Sequence, residues 1–281
     1  MIIFPCAKIN LGLNIVSECE NGYHNIQTVF YPIPIYDALE IKYMDEKFPS
    51  VNPCDLKVSG HSIECDEQDN LVIRAYNLLA ADFKLPRVHA HLFKNIPSQA
   101  GLGGGSSDGA YMIRLLDERF RLNIGIPQME RYAAHLGADC AFFFSAETAY
   151  GTGKVEILEP ADGPKGNLDG YYLVLIKPDI NICTRDAYRA IVPRLPAKCC
   201  RDVVRESIET WKDNLVNDFE VPIFAAHPEL KEIKDKLYSL GASYAQMSGS
   251  GSSIYGLFKQ NPGLGTINRE FSENYHRILK L

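Results

Sequence analysis

Residues 96–113 read IPSQAGLGGGSSDGAYMI: four of the five positions from Gly101 are glycine, two serines and an aspartate follow, and apolar residues then begin a helical period. A backbone with so few side chains can bring its N–H groups close to an anion, and a helix starting directly afterwards adds unpaired N–H donors and a favourable dipole. Neither common phosphate signature fits. A Walker loop needs G-x-x-x-x-G-K-[ST], and no lysine occurs between Gly101 and Arg114. A dinucleotide fingerprint fails as well, because Ser106 stands where its third glycine belongs. Ser106 and Ser107 offer hydroxyls to phosphate or Mg²⁺; the competing reading is a surface loop with Ser or Asp as an ordinary helix cap.

Downstream of the loop, Ile113, Leu116 and Phe120 recur at helical spacing, and PQMERYAAHLG predicts a second helix with Pro127 near its start and Gly137 past its end. Asp139 follows two residues later, where a turn residue is more usual than a base. Upstream, RVHAHLF alternates as a strand. DNLVIRAYNLLAADF predicts a helix capped by Asp69, with apolar positions 72, 75, 76, 79 and 83, and DLKVSG and HSIEC pair across Ser59-Gly60.

At the start of the chain AKINLGLNI alternates strictly. It predicts a half-buried strand with Ala7, Ile9, Leu11, Leu13 and Ile15 inward and Lys8, Asn10, Gly12 and Asn14 outward. A lysine on such a face is ordinarily solvated. The Asn21-Gly22 pair marks a turn, and HNIQTVF and DALEIKY follow as strands separated by Pro32 and Pro34, so the opening reads as an antiparallel meander.

AYGTGKVEIL reads as a hairpin and ADGPKGNLDG, at 161–170, as a linker. Beyond it come the strand YYLVLIK, helices near 184–192, 201–211 and 228–240, strands around SYAQM and SIYGLF, and a final helix. Met247-Ser-Gly-Ser-Gly-Ser-Ser is a second glycine-rich turn. Helices and strands mix without regular βαβ alternation, which predicts an α+β fold. The expected domains are 1–160, which carries the glycine-rich loop, and 161–281.

The 281 residues, 46% hydrophobic, suffice for two domains. A net charge of −6 without a basic cluster argues against nucleic acid and acidic membrane surfaces. The first residues lack a signal-peptide pattern and no run approaches the length of a membrane span, so a cytoplasmic protein is expected. Eight cysteines without a CxxC pair read as reduced core residues rather than metal ligands or disulfides.

Three blocks in order, AKINLGLNI, IPSQAGLGGGSSDGA and AQMSGSGSSIYGLF, resemble the GHMP kinases, a family of small-molecule kinases. The resemblance covers nearly the whole chain, and the form G-L-G-G-G-S-S-[DN] is highly specific. It implies a two-domain GHMP-kinase-like architecture, with an N-terminal ribosomal-protein-S5-like domain, a C-terminal ferredoxin-like α/β sandwich and an active site in the cleft between them. It implies ATP with Mg²⁺, the phosphates being wrapped by Pro97, Ser98, Gln99, Ala100, Gly101, Leu102, Gly103, Gly104, Gly105, Ser106 and Ser107. Asp139 then accepts or orients the proton of the acceptor hydroxyl, with Lys8 beside it holding the carboxylate ionised and favouring charge at the reacting oxygens. No residue is assigned to the metal beyond the hydroxyls of Ser106 or Ser107.

GYH, HLGADCAFFF, GTGKVEIL and NDFE further resemble the branch of that family acting on a cytidine diphosphate-linked methylerythritol, at its 2-hydroxyl, in the non-mevalonate route to isoprenoid precursors. The implied acceptor contacts are Asn10 on the polar portion, Tyr23 and Tyr188 sandwiching the cytosine ring, His24 on its edge and Thr184 nearby. Gly109, Ala141, Gln246 and Tyr188 depart from the family pattern, which commonly has Ala, Pro, a basic residue and Phe at these places. A homoserine or mevalonate type of kinase, and a non-catalytic nucleotide- or RNA-binding module, are the alternatives.

Overall fold

The computed structural model describes residues 1–20, 22–63, 65–163 and 168–281. The chain opens with β1 (Ile2–Ile3), β2 (Cys6–Glu18), β3 (His24–Tyr36), β4 (Ala38–Tyr43) and β5 (Cys54–Gly60), then α1 (Leu71–Asp82), β6 (Val88–Lys94), α2 (Gly104–Phe120) and α3 (Ile126–Leu136). A 3₁₀ helix (Ala138–Phe144) leads to β7 (Ala149–Gly153), β8 (Ile157–Pro160) and β9 (Tyr172–Lys177). The remainder comprises α4 (Thr184–Arg189), α5 (Cys200–Val203), α6 (Trp211–Asn214), α7 (Glu220–Ala226), α8 (Pro228–Ser239), β10 (Tyr244–Met247), β11 (Ile254–Phe258), α9 (Leu264–Glu270) and β12 (Tyr275–Lys280). Helix and sheet are mixed as an α+β fold.

Two compact units divide the chain by contact rather than by chain order. The first takes 1–7, 34–98 and 103–146; the second takes 8–33, 99–102 and 147–281. In the first, a sheet ordered β1-β4-β6-β5 packs with α1, α2 and α3, which bury Val72, Tyr76, Leu79, Ile113, Leu116 and Tyr132 among others. The expected pairing of DLKVSG with HSIEC does not form. Instead β5 runs parallel to β6, from Cys54 opposite Val88 to Gly60 opposite Lys94, with α1 as the crossover between them. Parallel neighbours need such a crossover, and helix α1 supplies it. Glu64, within HSIEC, lies outside the described residues.

The cap of α1 is Asn70 rather than Asp69: its side-chain oxygen accepts from the Val72 N–H at 2.9 Å. A preceding 3₁₀ turn, Glu67–Asp69, uses up Asp69, and Asn is as good a cap.

The second unit holds a sheet ordered β2-β3-β7-β8 and another ordered β10-β11-β9-β12. The expected meander is therefore split: β2 and β3 are neighbours, whereas β4 joins β6 in the other sheet. Strand β3 continues through Pro32 and Pro34, because its ladder with β7 spans only Ile26–Phe30 and the two missing N–H groups fall beyond it. Asn21, and residues 164–167 of the expected linker, lie outside the described residues.

Strand β2 is buried on both faces from Cys6 to Ile15, not half-buried. Polar groups along it are paired instead of solvated: Asn10 Nδ2 donates to Thr28 Oγ1 at 2.9 Å, and the Gly12 backbone N–H donates to Gln246 Oε1 at 2.9 Å. The chain ends in β12 rather than a helix, antiparallel to β9 from Tyr275 opposite Lys177 to Lys280 opposite Tyr172. Ile267, Phe271, Tyr275 and Ile278 fall at helical spacing, so local pattern favours a helix while the open edge of β9 decides for a strand. The eight cysteines are free thiols, and Cys65 and Cys183 are exposed rather than in the core.

Candidate active site

Within the first unit, the glycine-rich stretch becomes the start of α2. Gly103 is its cap residue at φ 71°, a left-handed conformation that glycine adopts without a Cβ penalty. Ser107 N–H bonds to the Gly103 carbonyl at 2.8 Å, while the N–H groups of Gly104, Gly105 and Ser106 precede the first helical bond and point out of the helix end. No acidic residue occupies the first turn, so the positive end of a 17-residue helix is left for an anion. Ser107 is fully buried, yet its Oγ has no partner among the described residues. A buried hydroxyl without a bond is costly unless a ligand supplies one. These features fit a polyphosphate.

Asp139 stands in the first turn of the 3₁₀ helix Ala138–Phe144, half-buried and immediately after α3. A Cβ placed on Gly137 would meet Ser106 Oγ at 4.0 Å, so the aspartate's turn and the start of α2 are neighbours within this unit.

Behind the same turn lies a buried cluster that the sequence did not disclose. Lys94 Nζ bonds to Asp108 Oδ2 at 2.7 Å and to Asp37 Oδ2, and Asp37 Oδ1 accepts from the Asn95 and Ile96 N–H groups at 2.6 and 2.8 Å. Burial drives the Asp108 carboxyl well above its usual range, and Lys94 only partly offsets it. Burial opposes a charge on Lys94 too, but the two carboxylates outweigh it and hold its ammonium firmly protonated. The Asp37 and Asp108 carboxyl groups, both bonded to the Lys94 ammonium, clamp β6 to α2 behind the glycines. Lys94 ends the alternating strand, and nothing local marks it as buried.

In the second unit Lys8, Asn10 and Gly101 come together. Lys8, 3% exposed, donates to Asn10 Oδ1 at 2.7 Å and to the Gly101 carbonyl at 2.9 Å. Ser248 Oγ donates to that same carbonyl at 2.8 Å. The second glycine-rich turn therefore seats Gly101.

Asn217 and Glu220, from the NDFE segment, hold that turn. Asn217 Nδ2 donates to the carbonyls of Met247 and Gly249, both at 2.8 Å, and Glu220 Oε1 accepts from the Met247 N–H at 2.9 Å. Removing one partner of a buried hydrogen bond costs about 1–3 kcal/mol. Asn217→Ala, which strands two buried carbonyls, should therefore lower stability by about 2–6 kcal/mol, read as an earlier thermal transition. An unchanged transition would show that water replaces the amide. Gln246, where the family commonly has a base, is fully buried: besides Gly12, it binds the Leu215 carbonyl at 3.0 Å through Nε2. A cation there would lack the acceptor that Gly12 uses.

The residues expected around a base lie in this unit too. His24 stacks on Tyr188, with centroids 5.1 Å apart and planes at 24°, and Tyr188 meets Phe219 edge-on at 4.9 Å. Thr184 Oγ1 is 3.0 Å from Ser250 Oγ. Tyr23 is 63% exposed, with Lys154 Nζ 4.7 Å from its ring centroid. Pro97, Ser98 and Gly103–Ser107 belong to the first unit, Gln99–Leu102 to the second.

An anion-receptive helix end beside an aspartate, and a buried lysine beside a seated glycine loop, are the parts of a phosphoryl-transfer enzyme. The models of the GHMP kinase N-terminal and C-terminal domains match residues 70–147 and 201–277, and the chain belongs to the GHMP kinase family. As such it is a small-molecule kinase whose phosphoryl donor is ATP. Two relatives are called 4-diphosphocytidyl-2-C-methyl-D-erythritol kinase: one from Bacteroides fragilis, 49% identical over 100% of both chains, and one from Bacteroides thetaiotaomicron, 47% identical over 92% of both. A crystal structure of 4-(cytidine 5'-diphospho)-2C-methyl-D-erythritol kinase is similar at TM-score 0.76 and 28% identity over 100% of both chains. The mevalonate kinase of Methanococcus jannaschii shares the fold at TM-score 0.68 and 13% identity, covering 99% of this chain and 96% of its own.

Proposed function

We propose that the protein transfers the γ-phosphoryl group of ATP to the 2-hydroxyl of 4-diphosphocytidyl-2-C-methyl-D-erythritol, in the non-mevalonate route to isoprenoid precursors. The full-length likeness to relatives of that name carries this reading. The ring stack of His24 and Tyr188 supports it, since it offers an aromatic face in the second unit.

In this reading the N–H groups of Gly104, Gly105 and Ser106 hold phosphate oxygens, with the Ser107 hydroxyl, orphaned in its buried site, available to phosphate or Mg²⁺. Mg²⁺ held by that hydroxyl would neutralise charge on the phosphates. Asp139 accepts or orients the acceptor's hydroxyl proton, and Lys8, fixed by Asn10 and the Gly101 carbonyl, supplies a positive charge to the reacting oxygens. Tyr23, His24, Thr184 and Tyr188 hold the cytidine end. Residues 1–160 form the ATP-binding part and 161–281 the C-terminal part of a cytoplasmic enzyme. Among the described residues no helix is long and apolar enough to cross a membrane.

Base stacking on an aromatic ring is worth about 1–3 kcal/mol by alanine substitution. Tyr188→Ala should accordingly raise the acceptor KM by about 10- to 100-fold with little change in the KM for ATP, and Tyr188→Phe should restore it. Steady-state kinetics with each substrate varied in turn tests this. A KM for ATP that rises in step with the acceptor's, in a variant of unchanged thermal stability, would remove Tyr188 from the base site.

A further inference from the structure

Cys199 and Cys200 are neighbours in sequence at the start of α5, yet their surroundings differ: Cys199 is half-buried and Cys200 is 2% exposed. Cys199 Sγ lies 3.2 Å from the Tyr150 hydroxyl. Tyr150 is covered by Arg201, whose guanidinium carbon is 5.3 Å from the ring centroid and whose Nη1 is 2.6 Å from Glu159 Oε2. The Cys199 thiol donates to the Tyr150 hydroxyl; once ionised it would accept from that hydroxyl, from the Cys200 thiol and from the Arg201 N–H, which against the effect of burial pull its pKa down to about 5. The hydrogen bond to Cys199, together with burial, pushes Cys200 well up. The pair is thus asymmetric: its surroundings favour the thiolate form of Cys199 and disfavour that of Cys200. Burial raises Cys6, Cys54 and Cys140 instead, as expected for inert core thiols.

Cys200 also touches the strand that carries Lys8 and Asn10. A Cβ on Gly12 would lie only 2.8 Å from the Cys200 Cβ, so the thiol's backbone is packed directly against β2.

We propose that Cys199 and Cys200 form a peroxide-reactive thiol pair, Cys199 meeting the oxidant and Cys200 resolving the product. The Cys199 thiolate attacks one oxygen of a hydroperoxide, the O–O bond breaks, and the departing oxygen takes a proton from solvent, leaving a sulfenic acid. The Cys200 sulfur then attacks the Cys199 sulfur. The S–S bond forms as the S–O bond breaks, and the leaving hydroxide takes up the Cys200 proton as water. The two thiols lose two electrons and the hydroperoxide gains them.

Adjacent Cα atoms are about 3.8 Å apart across a trans peptide, whereas a relaxed disulfide spans about 4.4–6.8 Å. Closing this bond therefore reshapes the first turn of α5 and draws Cys200 away from Gly12. Turnover falls as β2 loses its backing. That consequence rests on the role proposed above for Lys8 and Asn10; the thiol chemistry does not.

The test uses the reduced full-length protein, a few equivalents of hydrogen peroxide, and mass analysis of the tryptic peptide 199–201 alongside ATP turnover. Loss of two hydrogens from that peptide, with turnover falling and returning on addition of dithiothreitol, is expected. Iodoacetamide should alkylate Cys199 at least about tenfold faster than the exposed Cys65 and Cys183, as its thiolate character requires. Cys200→Ser should stop at a sulfenic acid on Cys199, trapped by dimedone, and Cys199→Ser should keep its turnover under peroxide. First oxidation at Cys65 or Cys183, or further oxidation of Cys199 without an S–S bond, would overturn the pair. Full disulfide formation with undiminished turnover would overturn its coupling to β2.

Discussion

Asp139→Ala should lower kcat by about 10²–10⁴-fold, the usual worth of a positioned proton acceptor, while the Kd for ATP moves by no more than a few-fold. The asymmetry follows from the division of labour in the first unit. In the proposed mechanism the helix N-terminus at Gly104–Ser106 and the Ser107 hydroxyl would hold charge without help from the carboxylate, since Asp139 sits on its own 3₁₀ turn beside Ser106. Asp139→Asn should behave like the alanine variant, because the amide fills the space and cannot take the proton. The measurement is single-turnover kinetics beside ATP titration by calorimetry. Equal loss of turnover and ATP affinity in a folded variant would mean that Asp139 shapes the nucleotide site and is not the base.

Gly101→Ala should be the most damaging small substitution in the loop. Gly101 has φ 71°, and a Cβ there would lie 1.9 Å from the Ser248 carbonyl oxygen and 2.8 Å from its carbon. Neither atom belongs to a flexible side chain, so the two backbones must part. The left-handed conformation alone costs a non-glycine residue roughly 1–2 kcal/mol. Parting the backbones also breaks the Gly101 carbonyl's bonds to Lys8 and Ser248, so ATP turnover should fall by about 100-fold or more, with an earlier thermal transition, if each bond to a charged or buried group is worth about 1.5–3 kcal/mol. Gly105→Ala is the contrast. Its Cβ would meet only Leu71 Cδ1, at 4.0 Å, in a helical backbone, so that variant should unfold no earlier than the parent. Wild-type turnover in Gly101→Ala would show that the loop is not held by the second turn.

The parts of the site legible in the sequence were those whose chemistry is local. A run of glycines before a helical period announces an anion-receptive helix end, and Gly101 and Gly103 adopt the left-handed backbone such a run permits. Alternation in AKINLGLNI set Lys8 and Asn10 on one side of a strand, and they do bond to each other. Burial of that side was not legible, because period-2 spacing cannot say whether a polar face meets water or other polar groups. Thr28, Gln246 and Gly101 supply the partners of Asn10, Gly12 and Lys8 from 18, 234 and 93 residues away, and only the fold brings them near. The Asp37–Lys94–Asp108 cluster escaped for the same reason, joining the link between β3 and β4 to the end of β6 and the first turns of α2. NDFE stood out as a segment, but its work on Met247 and Gly249 is a long-range contact with no local signature. Strand against helix at the C-terminus was decided by the free edge of β9, which the last twenty residues do not contain.

The acceptor defines the enzyme. ADP release should be measured with ATP and Mg²⁺, offering 4-diphosphocytidyl-2-C-methyl-D-erythritol, mevalonate and homoserine in separate reactions. Turnover confined to the cytidine compound is the predicted result. Turnover with mevalonate or homoserine and none with the cytidine compound would contradict it, leaving the ATP loop in place and the base site at His24 and Tyr188 without a function.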